Sequence, residues 1–179
     1  MLYFNMSKKE KYTLEQIKQN TTNLQYKKIE VLYDLFRNNV SNYKHYKSLD
    51  DKTYLDFFTS TFRSQIFDVS SAKIFKTGFK STKAVDVKNT VEDHFIQRAK
   101  TSKFIFESFC EKPKLSFISF VNILISHAST VVLTKEEHNL VTLEAKKNKD
   151  KFNYELYESC NIKIPQLYDF LNINRIDKS

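Results

Sequence analysis

The sequence predicts an α+β fold, predominantly α-helical, with a short β-hairpin or small sheet. Apolar residues recur at helical spacing along much of the chain, most clearly at Ile29, Leu32, Tyr33, Phe36 and Val40. Two short runs break that period: the alternating Lys83–Lys88 and the β-branched Ser129–Leu133. Gly78 is the single glycine among 179 residues, too few for a fold rich in tight hairpins and for any Gly-rich phosphate loop.

Residues 1–12 are basic and aperiodic and read as an N-terminal arm, with 13–179 as a single domain. That domain divides into a helical half, 13–70, and a second half, 71–179, that carries the candidate chemistry. Thr13 followed by Gln16 is a capping-box pair that starts a first helix. A second helix covers Leu24–Tyr43. Ser48-Leu-Asp-Asp is a turn, after which Tyr54, Leu55, Phe58, Phe62 and Ile66 carry a third helix across Asp51–Gln65. The lysines and rings interleaved over Tyr43–Tyr54 could meet phosphates and bases, but an amphipathic helix with its rings inward accounts for them more simply.

Lys83–Lys88 reads as a short strand or hairpin. Thr90 is placed to cap a helix from Val91 to about Cys110, with Phe95, Ala99, Ser102, Phe106 and Phe109 or Cys110 inward and Pro113 ending it. Leu115–His127 is a buried helix and Ser129–Leu133 a strand. Thr134 caps a helix over Lys135–Lys147, and Tyr154–Cys160 with Ile164–Leu171 form short C-terminal helices.

The formal charge of +8 and pI near 9.3 favour an anionic partner, with nucleic acid the commonest for a small basic protein. Cys110 and Cys160 stand fifty positions apart, outside any zinc-ligand spacing, and fit a reduced, cytoplasmic protein. No apolar run reaches membrane-spanning length, and the start lacks a signal-peptide core, so no membrane partner is expected.

Phosphodiester hydrolysis needs a base to activate water and a cation to stabilise charge on the phosphate and the leaving oxygen. A ββα-metal, or HNH, site meets both needs with an Asp ligand just before a His base and an Asn or His ligand on a following helix. Asp93-His94 stands in that order, and His138 or Asn139 could complete it. Between Lys73 and Lys103 eight Lys or Arg face three acids. A rim of Lys73, Lys76, Lys80, Lys83, Lys88, Lys100 and Lys103 suits a phosphate backbone.

VEDHFIQRAKTSKFIF and VVLTKEEHNLVTL together resemble a family of small bacteriophage proteins that carry an EH-x3-R element and then a T-x-EEN-x2-L element. Members of that family are regarded as HNH-like or homing endonucleases, and the resemblance spans roughly 85–172. It implies DNA cleavage with Mg²⁺ or another divalent cation. His94 would then be the base, Asp93 a metal ligand, Arg98 a phosphate clamp, and Glu137 with His138 the second half-site. The sequence departs from the family pattern in having Asp93 where Glu precedes the His, and His138 where EEN has Asn.

Plainer roles compete for the same residues. Glu92, Asp93, Glu136 and Glu137 are acids that the dipole favours in a helix's first turn. His45 reads as exposed, and His127 as the partly buried end of an apolar helix. Glu144-Ala-Lys146 is an ExK pattern without the strand that a PD-(D/E)xK nuclease needs. The rival functional reading is a non-catalytic helical protein that binds nucleic acid or serves viral interactions, sharing the charge and the aromatic core but not needing His94.

Overall fold

A computed structural model describes residues 12–50, 52–85 and 88–167. These form two compact units, one from Tyr12–Phe75 with Gln97–Ala128, the other from Lys76–Ile96 with the described residues from Ser129 onward. The halves read from the sequence are therefore redrawn, since Gln97–Ala128 joins the helical part. The expected N-terminal arm, save Tyr12, and the end of the helix expected over Ile164–Leu171 lie outside the described residues.

The helical unit contains α1 (Leu14–Gln19), α2 (Asn23–Asn38), α3 (Val40–Ser48), α4 (Lys52–Ser60), α5 (Arg63–Ser70), a 3₁₀ turn (Lys73–Phe75), α6 (Arg98–Glu111) and α7 (Phe117–Ala128). Thr13 and Thr22 start α1 and α2 through capping boxes closed by Gln16 and Gln25, so each side chain satisfies a backbone donor that the helix leaves open. The helix expected across Leu24–Tyr43 breaks at Asn39, whose amide Nδ2 donates back to the Leu35 carbonyl at 2.9 Å. Such local side-chain bonds compete with helix continuation. The helix expected over Asp51–Gln65 likewise divides, at Thr61-Phe62, into α4 and α5.

Ile29, Leu32 and Phe36 of α2 enter a core with Ile66, Phe106, Phe109, Phe120 and Leu124. Phe106 lies 4.7 Å from Phe36, 4.9 Å from Phe62 and 4.9 Å from Tyr43, ring centroid to centroid, with the Tyr43 ring nearly parallel. Tyr43 is thus a core residue, as the amphipathic reading expects, whereas Tyr54 is exposed.

The second unit holds β1 (Lys76–Lys80), β2 (Thr90–His94), β3 (Thr130–Thr134), α8 (Lys135–Lys147) and α9 (Asn153–Ser159). Its sheet has the order β1-β3-β2, with β3 parallel to β1 and antiparallel to β2. A small sheet is present, as expected, but not where the alternating run stood: Ser81–Val85 forms turns, and Asp86 and Val87 lie outside the described residues. Strands flank that run on both sides, and β1 and β2 are joined through β3, not as a hairpin. Gly78 sits in β1 at φ 74°, where the register against β3 shifts; a side chain there would strain the backbone.

The helix expected from Val91 gives way to β2, and α6 begins only at Arg98. Pairing with β3 decides this: Thr90–His94 aligns residue by residue with Thr130–Thr134 in reverse, and tertiary pairing overrides local capping preference. Thr134 caps α8 as expected, with Glu137 closing the box. Val131, Leu133, Val141, Leu156 and Tyr157 form this unit's core with Phe95 and Ile96.

Candidate functional site

Residues along a strand alternate between its two faces. In β2, Val91 and Asp93 stand opposite Leu133 and Val131 of β3, both fully buried, so Asp93 lies on the core face of the sheet. His94, expected beside it as the base, belongs to the opposite face. The strand sends the two side chains to opposite faces, so they do not form one site.

Asp93 is 6 % exposed, and three groups surround its carboxylate. His138 Nδ1 of α8 lies 3.1 Å from Oδ1, the Tyr157 hydroxyl of α9 donates to Oδ2 at 2.6 Å, and Asn153 Nδ2 donates to the same oxygen at 3.4 Å. Asn153 also donates to the His94 carbonyl at 2.6 Å, and the Tyr154 amide donates to the Phe95 carbonyl at 3.1 Å. The start of α9 is thereby pinned to the end of β2. Asn153 and Tyr157 are four apart in one helix, which puts both on the face turned to Asp93.

The hydrogen bond to Asp93 raises the pKa of His138 above the ordinary imidazole value; burial opposes this, and the carboxylate charge adds to it. The His138 side chain keeps 36 % of its surface exposed. The arrangement is an Asp–His dyad: a buried carboxylate fixes the imidazole orientation through Nδ1, which leaves Nε2 as the ring nitrogen able to exchange a proton. Tyr157 is wholly buried and its pKa is raised strongly, first by burial and then by the Asp93 charge. Its phenol therefore serves only as a donor.

Of the other expected site residues, Asn139 is exposed on α8, and Glu137 is buried in the capping box. Lys76, Lys80, Lys83 and Lys88 are exposed in the sheet unit, with Lys76 paired to Glu92 at 2.8 Å. Lys73, Lys100, Lys103 and Arg98 belong to the helical unit, where the Arg98 guanidinium lies 4.6 Å from the centre of the Phe67 ring. Asn153 and Tyr157 are additions from the structure: Asn153 stands just before the helix expected over Tyr154–Cys160, and only the observed start of α9 at Asn153 puts the two at i, i+4 in one helix.

No family model matches the chain, and no curated protein or solved structure matches it either. Among the described residues, no three His, Cys, Asp or Glu side chains gather where a metal ion could be held. Both Asp93 oxygens are already engaged by protein donors, so this carboxylate suits orientation of His138 better than ligation of the divalent cation expected from the sequence. Both cysteines are free thiols. No described helix is long and apolar enough to cross a membrane.

Proposed function

We propose that the chain is a nucleic-acid phosphodiesterase, an endonuclease acting on DNA, in which His138 is the general base and Asp93 holds it. The observation that carries this reading is the Asp93–His138 dyad: a carboxylate withdrawn from solvent, saturated by Tyr157 and Asn153, and turned on one half-exposed imidazole. His138 Nε2 takes a proton from water, and the resulting hydroxide attacks phosphorus as the P–O bond to the leaving oxygen breaks; the leaving oxygen takes a proton from solvent and His138 returns its own to solvent. General-base assistance of this kind contributes roughly 10²–10⁴-fold in rate. The net charge of +8 draws the polyanion in, with Lys80, Lys83 and Lys88 as exposed backbone contacts in the same unit. A divalent cation such as Mg²⁺ is what the phage resemblance implies, and it would stabilise charge on the phosphate and the leaving oxygen.

The second reading, a non-catalytic nucleic-acid binder, draws on the helical unit. Tyr54 and Phe57, neighbours on α4, are exposed, and exposed rings offer stacking faces to unpaired bases.

The test is cleavage of supercoiled DNA and of single-stranded RNA with Mg²⁺, with Mn²⁺ and with EDTA, comparing wild type with His138→Ala, Asp93→Asn and His94→Ala. The proposal expects loss of cleavage in His138→Ala and a drop of roughly 10²-fold or more in Asp93→Asn. A loss confined to His94→Ala returns the base to His94. Binding without cleavage under every condition establishes the second reading.

A further inference from the structure

The dyad depends on where α8 begins, because His138 lies in that helix's first turn. Three capping boxes with a Thr cap occur among the described residues, and they are not alike. Those of α1 and α2 are closed by Gln16 and Gln25 at exposed sites. That of α8 is closed by Glu137, whose carboxylate is 3 % exposed and has a further partner outside the box. Glu137 Oε2 accepts from the Thr134 amide at 3.0 Å and from the Ser81 hydroxyl at 2.5 Å. Ser81 itself has no exposed surface. Its amide donates to the Val132 carbonyl at 2.9 Å, and its Oγ accepts from the Ala84 amide at 3.1 Å.

A capping box alone satisfies the start of a helix. It does not fix the helix against the sheet. Val141 holds the middle of α8 in the core, and the Ser81 bond adds a constraint at its start, joining the residue after β1 to the third residue of α8 through one buried carboxylate oxygen. His138 is the next residue along, and its partner Asp93 is carried by β2 on the other side of β3. The reach between them is a single 3.1 Å contact.

We propose that Ser81 and Glu137 are positioning residues for His138, forming a buried clamp that sets the start of α8 against the sheet so that the imidazole meets Asp93. The inference rests on His138 being the working base. The clamp acts through geometry: it touches neither Asp93 nor the ring, and it governs the contact between them. A misplacement of about 1 Å at a reacting group costs on the order of 10²-fold in rate, so a slack clamp would leave every dyad residue present and the site impaired.

The test follows the His138 ring by NMR titration in wild type, Ser81→Ala, Thr134→Ala and Glu137→Gln, together with turnover in the cleavage assay. Ser81→Ala deletes one buried oxygen and leaves the capping box whole. It is expected to lower the His138 titration midpoint towards that of a free imidazole and to cut turnover roughly 10-fold or more. Glu137→Gln keeps an acceptor oxygen for both donors and is expected to retain the wild-type midpoint. Thr134→Ala breaks the cap but keeps the clamp, and is expected to lower stability while moving the midpoint less than Ser81→Ala does. A Ser81→Ala protein with the wild-type midpoint overturns the clamp while leaving the dyad standing. A wild-type midpoint at the ordinary imidazole value sinks the dyad itself, so the two failures are told apart.

Discussion

Each unit holds a buried carboxylate that accepts a hydrogen bond from a tyrosine, Glu107 in one and Asp93 in the other, and the two sites differ in the third member. In the helical unit the Tyr43 hydroxyl donates to Glu107 at 2.5 Å, and Lys47 Nζ reaches both carboxylate oxygens at 2.8 Å. In the sheet unit the Tyr157 hydroxyl donates to Asp93 at 2.6 Å, and the partner is His138 at 3.1 Å. Lysine stays protonated throughout the physiological range, so the Glu107 site is a closed ion pair. Histidine changes charge within that range, so the Asp93 site can give up and take back a proton. The same packing device yields a structural lock in one case and, on the proposed reading, the seat of a general base in the other.

The largest expected effect separates the two at once. Glu107→Ala orphans the buried Tyr43 hydroxyl and opens a cavity, which should cost roughly 3–4 kcal/mol in urea unfolding. Cleavage by the folded fraction should be unchanged. Loss of cleavage at full folding would collapse the distinction between lock and site.

The histidines sharpen it through pH. Burial lowers the pKa of His127 from the usual 6.5 to about 4, against a backbone hydrogen bond to the Ile123 carbonyl that works to raise it. The unfolded chain then binds the extra proton first, so stability falls as pH drops from 6.5 towards 4. That amounts to about 3 kcal/mol across the window, read as the difference in unfolding free energy between wild type and His127→Gln. His138 has the opposite sign. Its raised pKa gives stability that is fully present below the unfolded value and lost as pH rises through the folded one. Glu107 is pushed up by burial but pulled lower on balance by its bonds to Lys47 and Tyr43, so its contribution is lost only in acid.

A smaller effect tests the shared half of the comparison. Tyr157→Phe removes a hydrogen bond to a charged acceptor and should cost about 2 kcal/mol in thermal or urea unfolding. A loss well under 1 kcal/mol would mean that the phenol is not holding Asp93.

Much of this was legible in the sequence where local signals agree with tertiary demands. Thr13 with Gln16 and Thr134 with Glu137 carry their own capping chemistry, and the apolar face of α2 follows from its spacing. Val91–His94 was read as a helix start because acids after Thr90 satisfy the same local rule; only pairing with β3, forty positions on, makes it a strand. The strand turns Asp93 to the core face of the sheet, where His138 meets it. Asp93 and His138 were both singled out by residue type, as possible metal ligands. Their direct contact, and the saturation of Asp93 by Asn153 and Tyr157, depend on the docking of α9, which no local pattern announces.

The most direct measurement of the central claim is the NMR titration of His138 in wild type and in Asp93→Asn. The account predicts a wild-type midpoint above the ordinary imidazole value of about 6.5, falling clearly in the variant, with cleavage rising as pH passes the wild-type midpoint. A wild-type midpoint at or below the ordinary value, unmoved by Asp93→Asn, would contradict it and leave the chain without an oriented base in this unit.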